Sequence, residues 1–143
     1  MRVDFYLLTQ NNPEIFWLTV CRLLEKAYKK QHQIFVYCKQ KQDAEHLDEL
    51  LWTFKPESFI PHHLQGEGPE PPPTIQIGQS EPRGFSDILV NLSDHIPPFY
   101  TRFQRVIEIV AADEAAKIIS REHFRTYRQA GIMPNTFPLT QSA

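Results

Sequence analysis

Hydrophobic and polar positions along the chain switch between two periods. "RVDFYLL", Arg2 to Leu8, is a short apolar and aromatic run followed by polar residues, which predicts a buried strand. "NNPEIFWLTVCRLLEKAYKKQ" then takes the helical period, with Phe16, Val20, Leu23, Leu24 and Ala27 recurring on one face. Asn12 stands as N-cap, Pro13 at the first helical position and Glu14 behind it, while Lys29 and Lys30 suit the negative C-terminal end. Ile34 to Cys38 predicts a second strand. "QDAEHLDELLWTF" predicts a second helix with Ala44, Leu47, Leu50, Leu51 and Phe54 turned inward.

Three prolines, Pro71 to Pro73, interrupt any regular element. "TIQIG" and "SDILVNLS" predict two further strands, the second with the continuous apolar run of a central position. Pro97 to Phe103 suits a short helix, and Arg105 to Val110, "RVIEIV", a last strand. "ADEAAKIISREHFRTYRQAG" predicts a long helix that Gly131 ends. Strands alternating with helices imply an α/β fold, a three-layer sandwich with a largely parallel central sheet and helices on both faces. Nothing separates two domains, so residues 1–143 are expected to form one. Positions from Pro134 lack periodicity, and 132–143 are expected to be a flexible tail.

Composition narrows the function classes. The chain is 41% hydrophobic and 22% charged, ordinary for a soluble domain, and no apolar run is long enough to span a bilayer. A net charge of −2 disfavours broad phosphate gripping, although a local basic patch remains compatible with it. Cys21 and Cys38 lie far apart without a CxxC pair, as in a reduced, cytoplasmic protein. The turn after the first strand, "TQNNPE", contains no glycine, and neither G-x-G-x-x-G nor a P-loop occurs, so the Rossmann-like pattern carries no nucleotide signature. "GEGP" precedes prolines rather than a helix and predicts a turn with positive φ at Gly66 or Gly68. His62 and His63 are adjacent and no further ligand stands at a recognised spacing, so no metal or other cofactor is expected. Nothing makes a positive case for catalysis.

The last helix carries the sharpest chemistry. With Lys117 at zero and about 100° per residue, Phe124, Lys117, Arg128, Arg121 and Arg125 fall between about −20° and 80°. Ala115, Thr126, Ile119, Ala130, His123 and Ala116 fall between about 160° and 260°, the face expected to meet the sheet. Four cations therefore surround one aromatic, and few acidic partners stand at i,i+4. Such a face suits a ligand that is anionic and apolar together. An acidic peptide ending in an aromatic residue with a free carboxylate fits, as does single-stranded nucleic acid. A solvated charged face is the plain alternative.

"FYLL" in the first strand, "LDELLWTFKPESFIPHHLQGEGP" in the middle and "ISREHFRTYRQAG" near the end resemble the χ (chi) subunit family of bacterial DNA polymerase III holoenzyme. The resemblance runs in order along nearly the whole chain and is most specific in the middle block. It implies a non-catalytic accessory subunit on an α/β sandwich. It further implies pairing with the ψ (psi) subunit, which attaches the pair to the clamp-loader ATPase, and binding of the acidic C-terminal tail of single-stranded-DNA-binding protein. DNA would be met only indirectly and no membrane would be involved.

Carried over position by position, the family's tail site implies Lys117, Arg121, Phe124 and Arg125, with Val110 as floor; Arg128 joins them from the helical stripe. Familiar relatives have Tyr where Phe124 stands and Lys where Arg125 stands, changes that remove a hydroxyl and alter the geometry of a charge. The family's ψ-facing surface, the loop after the second helix, implies Trp52, Phe59, Ile60, Pro61 and His62. The competing reading, a small α/β nucleotide-binding protein or enzyme, rests on fold class alone.

Overall fold

A computed structural model of the chain describes residues 1–55, 57, 59–67 and 74–139. Seven strands form one sheet: β1 (Arg2–Leu8), β2 (Ile34–Tyr37), β3 (His62–Leu64), β4 (Ile75–Gly78), β5 (Ile88–Asn91), β6 (Arg105–Val110) and β7 (Asn135–Leu139). Their order is β3-β4-β2-β5-β6-β1-β7, and every neighbouring pair is parallel. The helices are α1 (Pro13–Lys29), α2 (Lys41–Thr53) and α3 (Glu114–Gln129), with a short 3-10 helix at Pro98–Arg102. The expected three-layer α/β sandwich is therefore present.

Period-two alternation sorts the strand residues into two layers. Ile34, Val36, Ile75, Ile77, Ile88, Val90, Ile107 and Ile109 form an aliphatic layer with Val20, Cys21 and Leu24 of α1 and Ala44, Leu47 and Leu51 of α2. Phe5, Phe35, Tyr37, Phe99 and Phe103 join Val3, Leu89, Val106, Val110 and Tyr127 of α3 on the other face. One helix and a 3-10 turn cover that second face, and large rings fill what another helix would otherwise occupy. Strands buried on both faces explain the unbroken apolar runs.

Local signals work as expected at the helix ends. Asn12 Oδ1 accepts from the amides of Glu14 (2.9 Å) and Ile15 (3.4 Å), so the α1 N-terminus, which receives phosphate in dinucleotide folds, is closed by its own cap. Gly131 follows α3 at φ +87°, a conformation that only glycine adopts cheaply. Gly66 has the expected positive φ of +88°, while Gly68 and the three prolines lie outside the described residues.

Two elements depart from expectation. The segment from Pro134, read as a loose tail, contains β7, which pairs with β1 from Asp4↔Asn135 to Leu8↔Leu139; residues 140–143 lie outside the described set. Pro138 is tolerated because β7 is an edge strand. Asn135 Nδ2 donates to Asp4 Oδ1 at 2.9 Å, and Phe137 stacks on Tyr6 at 5.3 Å. The other is β3, three residues long, which turns the end of the aromatic loop into the opposite edge of the sheet.

Candidate protein-docking surfaces

The inward face of α3 is built on a buried carboxylate. Glu108, 4% exposed, sits in the middle of β6, where an apolar residue would be ordinary. It accepts from Tyr127 Oη at 2.7 Å and Asn91 Nδ2 at 3.0 Å, and its other oxygen faces His123 Nδ1 at 3.0 Å. His123 Nε2 stands 3.2 Å from the Asp94 carbonyl. His123 and Tyr127 are the two buried residues of α3. Burial alone lowers the His123 imidazole, but the hydrogen bond and charge of Glu108, with the Asp94 contact, raise it above its ordinary value. Burial, then the Glu108 charge, pushes the Tyr127 hydroxyl far above its usual range, so it remains a donor.

This anchoring turns the helix relative to the expected wheel. Tyr127, at about 280°, lies at the centre of the contact, so the sheet-facing sector sits about 60° from the predicted one. Ala115, Thr126 and Ala130, expected against the sheet, are exposed. Phe124 consequently comes to the border of the buried sector. It is half-buried, with its ring 5.5 Å from that of Phe5.

Arg121, Phe124, Arg125, Arg128 and Gln129 line a groove of about 550 Å³ on the outer side of α3. Among the described residues no ion pair engages Arg121, Arg125 or Arg128, while Lys117 stands 3.8 Å from Glu114. Lys117 is exposed but does not line the groove. Val110, expected as its floor, is instead 7% exposed beneath α3 and lines a neighbouring cleft with Ala116, Ile119 and His123. The structure thus brings four of the six residues into one groove. Glu108, Tyr127, Asn91 and Phe5, which support that face, were not among the expected residues; a glutamate inside "RVIEIV" was the visible sign.

The second surface begins where α2 ends. Trp52 is 50% and Phe59 68% exposed, with ring centroids 5.7 Å apart, and Pro61 beside them is half-buried. Ile60 and His62, expected to face a partner, do not reach the surface: Ile60 is 1% and His62 6% exposed. Pairing of β3 with β4 draws them inward, so Ile60 joins the aliphatic layer. His62 faces two carbonyl oxygens, Ile60 at 2.6 Å and Asp48 at 3.0 Å, and supports the Trp52 ring at 4.5 Å. Its Nε2 also stands 3.4 Å from the Asp48 carboxylate, so both nitrogens already face acceptors of the chain, as in a structural histidine.

Among the described residues no group of three or more His, Cys, Asp or Glu side chains could hold a metal. Burial pushes the thiols of Cys21 and Cys38 up to about 12, which leaves them unreactive as nucleophiles. No helix among the described residues is long and apolar enough to cross a membrane.

Residues 1–135 match the family described as "DNA polymerase III chi subunit, HolC". Three curated proteins, each named DNA polymerase III subunit chi, are similar along most of their length. The Pseudomonas aeruginosa protein is 38% identical over 131 residues, 91% of each chain. The Escherichia coli protein is 33% identical over 139 residues, 92% of this chain and 94% of its own. The Haemophilus influenzae protein is 32% identical over 130 residues, 90% of each.

Proposed function

The chain belongs to the DNA polymerase III chi subunit family, and on that premise we propose that it is a cytoplasmic adaptor, without an active site of its own, that joins two protein partners. The α3 groove takes the acidic C-terminal tail of single-stranded-DNA-binding protein, and the Trp52–Phe59–Pro61 surface takes the ψ subunit. Through ψ the pair joins the clamp-loader ATPase, so DNA is reached only through proteins.

The observation that carries this reading is the groove. Three arginines that have no ion-pair partner among the described residues surround a half-buried aromatic, which suits a carboxylate-rich peptide ending in a ring. Exposed guanidinium groups lose little on desolvation, and Arg can grip a terminal carboxylate bidentately. The second surface offers two adjacent aromatics to water beside a proline, the composition of an anchor for a permanent contact.

The two assignments are separable by mutation. Arg121→Glu is expected to weaken binding of an aspartate-rich peptide ending in phenylalanine by about 2 kcal/mol or more, roughly thirtyfold, and to leave ψ binding intact. Trp52→Ala should do the reverse. Calorimetric titration of both ligands into both variants checks this. Unchanged peptide affinity in Arg121→Glu would remove the assignment of the groove.

A further inference from the structure

The buried contact between α3 and β6 has chemistry that neither docking surface uses. His123 Nδ1 stands 3.0 Å from Glu108 Oε1, and its Nε2 3.2 Å from the Asp94 carbonyl. A carboxylate and a carbonyl can only accept, so both contacts are hydrogen bonds when, and only when, both ring nitrogens carry protons. The opposite side of the same carboxylate is held by Tyr127 and Asn91. His123 directly precedes Phe124 in the chain, and Tyr127 directly precedes Arg128. The side chains that seat the helix are thus interleaved with those that line its outer groove.

We propose that His123 is the positioning residue of the α3 groove: doubly protonated, it clamps the helix between Glu108 and the Asp94 carbonyl, and loss of one proton loosens the groove's hold on its acidic ligand. The inference deepens the tail-binding reading above and rests on it. The environment supports the direction, since Glu108 raises the imidazole against the effect of burial, and Glu122 on the same helix adds to it. Among the described residues the other charged and titratable groups on this side are Tyr127 of α3, the Asp94 carboxylate with its partners Lys39 and His95, and Asp43 across the cleft. Lys39 is raised by its hydrogen bond and charge pairing with Asp94, and Asp94 is lowered by the same contact, so both keep their charge across neutral pH.

The sign follows from linkage. A histidine raised in the folded chain contributes its full stabilisation below about pH 6.5, and loses it as pH rises through its higher folded value. A one-proton requirement limits the effect to about tenfold in affinity for each pH unit above that point. Carboxylates of the peptide do not titrate between about pH 6 and pH 9, so the ligand adds no slope of its own.

The experiment measures fluorescence anisotropy of a labelled aspartate-rich peptide ending in phenylalanine, across that pH range. Wild type, His123→Arg and His123→Gln are compared, each checked for folding by thermal melt. Wild-type affinity is expected to fall several-fold towards alkaline pH. His123→Arg, which keeps the charge, should bind with a flat profile near the acidic wild-type level; His123→Gln should be flat and weaker. A flat wild-type profile, or an equal slope in both variants, overturns the proposal.

Absence of wild-type binding at every pH would instead overturn the tail-binding reading. The clamp is then read in the free chain by hydrogen exchange. Protection of α3 amides, corrected for intrinsic base catalysis, should fall with pH in wild type and hold steady in His123→Arg. Equal behaviour of the two would exclude a clamp role.

Discussion

Phe124 shows how one side chain can pack inward and, in the proposed function, still present a face to a ligand. Its ring rests on Phe5 at 5.5 Å, which fixes its orientation, and it remains half-buried, which leaves one side for a ligand. Rigid aromatics flanked by charge gain contact area at low entropic cost. Phe124→Ala removes both roles, and should cost about 1–2 kcal/mol of folding stability, below the range for a fully buried ring. Peptide affinity should fall by more than that loss explains, because the folded variant still lacks the contact surface. Phe124→Leu separates the effects: denaturant midpoint should stay close to wild type while peptide binding drops at least about fivefold. Equal affinity of Phe124→Leu and wild type would show that the ring does not meet the ligand.

At the scale of elements, β7 is held at its first residue by Asp4, which is 0% exposed. Burial alone raises this carboxyl, but hydrogen bonds from Asn135, Arg2 and Arg105 outweigh it and hold it below the usual carboxylate range. A lowered carboxyl stabilises above its unfolded value near pH 3.9, and the contribution disappears as pH falls through the folded value. Asp4→Asn is therefore expected to cost about 2 kcal/mol at neutral pH, less at strongly acidic pH, with β7 amides losing exchange protection first. Urea melts at both pH values check it. That strand was illegible in "NTFPL" because its polar first half and Pro138 mimic a tail. The pairing that makes it a strand comes from β1 and from Asp4, more than a hundred residues earlier. By contrast α1, α2, β1, β2, β4, β5 and β6 were legible, since each carries its own period and, for α1, its own cap. The groove was legible as four residues of one stripe. The rotation of α3 was not, because it depends on the buried Glu108, a partner on another element.

In the whole molecule the two candidate docking surfaces lie on opposite layers and towards opposite edges of the sheet. α2 belongs to the aliphatic layer and packs beside β3 and β4, whereas α3 belongs to the aromatic layer and packs on β6. Between β4 and β6 stand β2 and β5, so about 14 Å of sheet separates the two helices in addition to its thickness. Among the described residues the Trp52 and Arg121 surfaces share no side chain and no hydrogen-bond network. Sites so separated, on opposite faces of a close-packed core, should couple by less than about 0.5 kcal/mol. The adaptor reading requires this independence, because a linker between two complexes is useful only when both ends are held at once. Peptide affinity measured on the chain alone and on the chain saturated with ψ is accordingly expected to agree within about twofold. A tenfold difference would mean that the sheet transmits a change between its faces, and the chain would then be a switch between partners rather than a bridge.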